Sequence, residues 1–317
     1  MMDLELKRLW RPMGALARLR FWGPLGGLGG LLALLGLLFL ADDDVVEHTD
    51  EQSQPATTAQ LERGKLLAGL GSCVACHSSS EEGAAPLAGG HAIETSFGTF
   101  YGSNLTPDPV FGLGTWSEAD FFRAMRYGRD PSGRRYYAAF PYAAFTGMTD
   151  EDLRALWLWL KSQKPVPKEN LPHTVKGIYA TELARAFWQW RSLEPGPIPV
   201  EKDKSPAWNL GRYLAETAGH CGECHTPRDG LGTLDASRAY EGTRYEPERR
   251  RAPSLTPERR SDWSDSDWVT FFETGMSSDG DVVAGHMREI VEEGTARLSA
   301  EERQALATYF AEGPKPR

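Results

Sequence analysis

The sequence predicts an all-α protein: two similar helical halves in tandem, preceded by an N-terminal transmembrane helix. Three observations carry this. A pentapeptide Cys-x-x-Cys-His occurs twice, at Cys73-Val74-Ala75-Cys76-His77 and Cys221-Gly222-Glu223-Cys224-His225, and holds all four cysteines of the 317-residue chain. Each copy is followed by the same succession of helix-start and helix-stop signals. Nothing alternates apolar with polar residues at period two over the length of a strand.

Residues 1–20 are a basic tail, with Lys7, Arg8, Arg11, Arg18 and Arg20 against Asp3 and Glu5. Residues 21–41 carry no charge, and Asp42, Asp43 and Asp44 follow directly. A bilayer core requires about 20 apolar residues as helix, so 21–41 suffices as an anchor. Basic residues before it place the N-terminus in the cytoplasm. A cleaved signal peptide is the alternative, although Phe39-Leu40-Ala41 lacks the small residue that cleavage prefers two positions before the last. Both readings export everything after residue 41. Residues 42–57 are acidic and polar and read as a flexible tether. The formal net charge of −9 excludes nucleic acid as a partner class.

The first helical domain is expected over residues 58–164. Thr58 to Leu70 forms a helix running into Cys73. Ser117 before Glu118 and Asp120 caps a second helix ending at Gly128, and Thr149 to Leu160 closes the half. The second domain, 204–317, repeats this order. Ser205-Pro206 opens a helix toward Cys221, Ser264 opens one ending at Gly275, and Ser299-Ala300-Glu301-Glu302 opens the last with a capping box. The repeat extends to Asn104-Leu105-Thr106-Pro107 and Ser254-Leu255-Thr256-Pro257. The connector, 165–203, is proline-rich but carries Phe187, Trp188 and Trp190, so it is expected to pack across both halves, with Trp188 and Trp190 as packing residues.

Cys-x-x-Cys-His is the attachment signature of covalent haem c. Two thiols three residues apart add to the two porphyrin vinyl groups, and the next residue, His77 or His225, lies beneath the ring as proximal iron ligand. A redox dithiol, or two pairs holding one zinc, are the alternatives. Neither needs a histidine directly after each pair, and zinc ribbons place their pairs closer together. Two covalently bound haem c groups are therefore expected, one on Cys73 and Cys76, the other on Cys221 and Cys224, in two tandem cytochrome c domains.

A methionine thioether opposite the histidine raises the potential and suits electron transfer. After the tether the chain holds Met125, Met148, Met276 and Met287. Met125 sits mid-helix, where a core role is expected. Met148 and Met287, in loops ahead of the closing helices, are the expected distal ligands, with His286 as rival to Met287. His91, His173 and His220 are expected to be structural. Arg228 is a candidate propionate contact. Pro86 is a candidate carbonyl for the proximal imidazole N–H.

The chain resembles the cytochrome c subunits of membrane-bound periplasmic dehydrogenases, the alcohol and gluconate dehydrogenase type, over about residues 58–317. The resemblance rests on Phe97-Gly98-Thr99-Phe100-Tyr101, Gly112-Leu113-Gly114-Thr115-Trp116-Ser117, Arg126-Tyr127-Gly128-Arg129-Asp130 and Ala139-Phe140-Pro141-Tyr142. It continues through Met148-Thr149-Asp150-Glu151-Asp152 and Gly219-His220-Cys221-Gly222-Glu223-Cys224-His225-Thr226-Pro227-Arg228. It implies a protein of the bacterial inner membrane whose haem domains face the periplasm, taking electrons from a dehydrogenase catalytic subunit. Met148 and Met287 match the family's ligand positions. Familiar members carry three haems and this chain has two motifs, which leaves quinone, a soluble cytochrome or an oxidase as acceptor. A dihaem enzyme (a peroxidase or sulfur-compound dehydrogenase) and a cytochrome subunit of a terminal oxidase complex are the other readings.

Overall fold

The computed structural model describes Gly30, residues 55–245 and residues 250–315. Helix α1, Thr58–Leu70, begins where the Thr57 hydroxyl accepts the Gln60 N–H and the Gln60 side chain accepts the Thr57 N–H. One turn of helix, α2, spans Cys73–Cys76. Strands β1, Ala92–Thr95, and β2, Gly98–Tyr101, form an antiparallel hairpin. Helix α3, Glu118–Tyr127, is boxed by Ser117 and Asp120 and stops at left-handed Gly128. A short turn α4, Tyr142–Phe145, precedes α5, Asp150–Lys161, which Thr149 caps.

Strand β3, Thr174–Val175, adds to the free edge of β2, and helix α6 spans Glu182–Ser192. The second half repeats the order. It contains α7 (Pro206–Glu216), α8 (Gly222–His225), a β4–β5 pair (Thr243–Tyr245 with Arg250–Ala252) and α9 (Asp265–Thr274). Helices α10 (His286–Glu293) and α11 (Ala300–Glu312) follow. Ser264 and Ser299 both form capping boxes.

In each half the first and last helices cross at a glycine. A Cβ on Gly64 of α1 would lie 2.1 Å from the carbonyl oxygen of Ala155 on α5, and one on Gly211 of α7 would lie 2.0 Å from that of Ala305 on α11. Neither crossing tolerates a side chain. Around them Leu67, Phe122, Leu153 and Leu156, and then Trp208, Leu214, Trp268, Leu306 and Phe310, are almost wholly buried. Each such side chain contributes about 1.5–3 kcal/mol on burial.

The described residues from 55 onward fall in one compact unit. Arg63 on α1 pairs with Asp152 of its own half at 2.8 Å and with Glu302 of the other at 2.6 Å, and the Tyr213 hydroxyl donates to Asp152 at 2.6 Å. The connector packs on both halves, as expected. Asn104 donates to the Val166 carbonyl at 2.8 Å, Gln189 to the Tyr127 carbonyl at 2.5 Å, and Arg191 to Asp229 at 2.7 Å.

Three expectations change. The described residues include short strands, because segments of two to four residues show no periodicity over a strand's length. Trp188 packs edge-on against Tyr142, but Trp190 is 63% exposed, since α6 turns Ala186 and Gln189 inward instead. An architecture preceded by a transmembrane helix is not supported. No helix among the described residues is long and apolar enough to cross a membrane. The longest have 13 residues, about 20 Å against a core of about 30 Å. Apart from Gly30, the expected anchor 21–41 lies outside the described residues, as do the tail 1–20 and most of the tether.

Candidate functional site: two cysteine–histidine motifs

Helices α1 and α7 each deliver a motif within a few residues of their C-termini. The His77 imidazole donates its Nδ1–H to the Ser103 carbonyl at 2.7 Å, and that of His225 donates to the Pro253 carbonyl at 2.7 Å. Ser103 and Pro253 are equivalent: one directly precedes Asn104-Leu105-Thr106-Pro107, the other Ser254-Leu255-Thr256-Pro257. The expected carbonyl of Pro86 is therefore not the acceptor. The same frame recurs in the backbone. Gly89 N–H donates to the His77 carbonyl at 2.7 Å, and Gly242 N–H to that of His225 at 2.8 Å. Leu87 (φ 61°) and Tyr240 (φ 60°) share a left-handed turn, and their carbonyls accept from Leu105 and Leu255.

With Nδ1 committed, each imidazole keeps Nε2 for a metal. Burial holds both histidines below the ordinary imidazole pKa, so they are neutral, the form that ligates iron. All four cysteines are free thiols. Burial pushes Cys73 and Cys221 up to about 12 and Cys76 up to about 11, the last helped by nearby Cys224. Among the described residues no three His, Cys, Asp or Glu side chains converge as a metal cluster, so the two pairs do not build one zinc site. Paired thiols on one helical turn, followed by an oriented neutral imidazole, fit covalent haem c.

Met148 is 1% exposed, in the turn between α4 and Thr149, with its carbonyl held by Arg126 at 2.9 Å. Its counterpart in the second half, directly before the cap Ser299, is Leu298. A thioether there must come from elsewhere. Met287 lies half-buried on the first turn of α10, in a helix where the sequence predicts a loop. Met125 is 4% exposed on α3, as a core residue, and Met276 is 42% exposed. His286 is exposed and faces Glu289 at 3.3 Å. His173 accepts the Tyr101 N–H at 3.1 Å, and His220 rests edge-on against Phe145 with its ring N–H on the Ala218 carbonyl.

Arg228 bonds to Glu223, within the second motif, and donates to the Gly232 carbonyl at 2.9 Å, closing the loop after α8. Its guanidinium is thus engaged beside that motif, where the sequence predicts a propionate contact.

This fold and donor set define a c-type cytochrome. The cytochrome c family model matches residues 61–164. The chain is 35% identical to a dihaem cytochrome c-type protein of Cereibacter sphaeroides, over 84% of this chain and 90% of that protein. The chain belongs to this family of c-type cytochromes, with covalently bound haem c, and it is an electron-transfer protein. With the fructose dehydrogenase cytochrome subunit of Gluconobacter japonicus it shares 31% identity, over 93% of this chain and 60% of that protein. With the cytochrome c subunit of a quinone-dependent alcohol dehydrogenase of Gluconobacter oxydans it shares 32% identity, over 90% of this chain and 60% of that protein. The chain thus spans less than two thirds of the length of these two dehydrogenase relatives.

Proposed function

We propose that the chain carries two haem c groups, one per half, and relays electrons from the catalytic subunit of a dehydrogenase toward the respiratory chain, outside the cytoplasm. The observation that carries this is the contact between the two motif-bearing turns within one body. A Cβ on Gly71, two residues before Cys73, would lie 3.3 Å from the carbonyl oxygen of Ala218, three residues before Cys221. Phe145 of the first half also meets His220 of the second, with ring centroids 5.4 Å apart.

Bound haem supplies one-electron redox chemistry. The protein's part is to hold the group and set its electronics. Cys73, Cys76, Cys221 and Cys224 are the attachment thiols. His77 and His225, oriented through Nδ1 by the Ser103 and Pro253 carbonyls, would hold the iron, and Met148 and Met287 would supply its thioether ligands. The cytochrome-subunit names of relatives support a dehydrogenase partner; quinone, a soluble cytochrome or an oxidase is the acceptor.

Affinity purification of the full chain from its native cells, followed by identification of bound proteins and haem counting by mass, tests this. Two haems and a dehydrogenase catalytic subunit whose substrate reduces them are expected. Recovery with a haem–copper oxidase and no dehydrogenase would overturn the donor assignment.

A further inference from the structure

The peptide group between Met148 and Thr149 is gripped on both sides. Its carbonyl accepts from the Arg126 guanidinium at 2.9 Å, and its N–H donates to the Tyr213 hydroxyl at 3.1 Å. Arg126 lies on α3 of the same half, where it also donates to the Thr146 carbonyl at 2.6 Å and pairs with Asp150. Tyr213 lies on α7 of the other half.

The equivalent peptide of the second half, between Leu298 and Ser299, is gripped from within. Arg303 donates to the Leu298 carbonyl, and Glu302 accepts the Ser299 N–H at 2.9 Å. That acceptor is the third residue of the helix, as it is for Thr57, Ser117 and Ser264. At Thr149 the third residue is Asp152, and its carboxylate is turned instead to Arg63 and to the Tyr213 hydroxyl. The Tyr213 oxygen takes the acid's place. Burial, with the Asp152 charge beside it, pushes the Tyr213 phenol up to about 12, so the hydroxyl keeps its proton. That proton goes to Asp152 at 2.6 Å, and the oxygen lone pairs accept the Thr149 N–H. Two residues after the crossing glycine the first half has Leu66 where the second has Tyr213, so it has no hydroxyl to return at that position.

Further contacts from outside the first half bear on the same turn. A Cβ on Gly147 would lie 2.8 Å from Thr217 Cγ2 and 3.1 Å from Ile198 Cγ1. The Gly196 N–H donates to the Thr146 hydroxyl at 3.1 Å.

We propose that the second half completes the distal-ligand site of the first haem: Tyr213, with Arg126, is a positioning residue that holds the Met148 thioether on the iron. A planar peptide held at both its carbonyl and its N–H cannot turn about the Met148 Cα–C bond, which fixes that side chain's direction relative to the closing helix. The inference rests on the reading that Met148 ligates the first haem.

Imidazole titration of the full, haem-loaded ferric chain, followed by visible absorption, tests it. Added imidazole competes with the thioether: an iron–sulfur bond breaks, an iron–nitrogen bond forms, and no electron moves. Met148→Leu marks the first haem, by loss of one long-wavelength methionine–iron band and tighter imidazole binding at one iron. If neither changes, the ligand reading falls and this proposal with it. Tyr213→Phe is expected to keep both haems and to tighten imidazole binding at the first iron about fivefold, the worth of one hydrogen bond, with the second iron unaffected. In the Met148→Leu background Tyr213→Phe is expected to change nothing further, because it acts through the thioether. An unaltered affinity in Tyr213→Phe, an equal change at both irons, or the same shift in the Met148→Leu background would overturn the proposal. If Tyr213→Phe does not fold, Gly147→Ala, which wedges the turn away from Thr217, takes its place, and an unmoved first-haem affinity there overturns it.

Discussion

Gly64→Ala places a methyl group where α1 and α5 cross. The new Cβ would stand 2.1 Å from the Ala155 carbonyl oxygen and 2.6 Å from Trp159 Cβ. Both obstacles are tied to helix backbone and lie far inside ordinary van der Waals contact, so the helices must separate. Overpacking of this kind costs about 1–3 kcal/mol, and the rigid neighbours put it near the upper end. Alanine is favoured over glycine in a helix by about 1 kcal/mol, which offsets part. The net expectation is a loss of about 2 kcal/mol, read as a lower urea midpoint at unchanged slope. Gly230→Ala, where a Cβ meets no atom in contact range, is the control. Because α1 leads into Cys73, the haem spectrum of the Gly64 variant should broaden as well. A variant more stable than the parent by about 1 kcal/mol, the propensity gain alone, would refute the crossing.

Met148→Leu is expected to leave haem attached and abolish one long-wavelength methionine–iron band; an unchanged absorption spectrum would remove Met148 as a ligand. Arg63→Ala strands Asp152 and Glu302 between the halves, and a loss of about 2 kcal/mol in chemical denaturation is expected. Asp229 is held below the ordinary carboxylate range by its bond to Arg191. Its folded pKa is depressed, so its contribution is complete above the ordinary carboxylate range and is lost as pH falls through the lowered value. Asp229→Asn should flatten the acid limb of a stability–pH curve, and an unaltered limb would count against this pair.

The proposed attachment residues were legible because their chemistry is local: two thiols and an imidazole within five residues. The helix caps at Ser117, Ser205, Ser264 and Ser299 were legible for the same reason, since a cap joins residues three apart. The acceptors of the His77 and His225 N–H groups were not. They are backbone carbonyls 26 and 28 residues away, and a carbonyl carries no side-chain signature. The helical setting of Met287 was hidden because α10, at eight residues, has no side-chain cap.

By itself the sequence determined that a haem-attachment motif stands in each of two similar helical halves, since thiol spacing and cap chemistry act over a single turn. Only the tertiary structure decided that the motif turns touch, that Ser103 and Pro253 aim the imidazoles, and that Tyr213 of one half grips the peptide after Met148 in the other. Those arrangements depend on how closely helices cross at Gly64 and Gly211, and that closeness is a property of packed surfaces far apart in the chain.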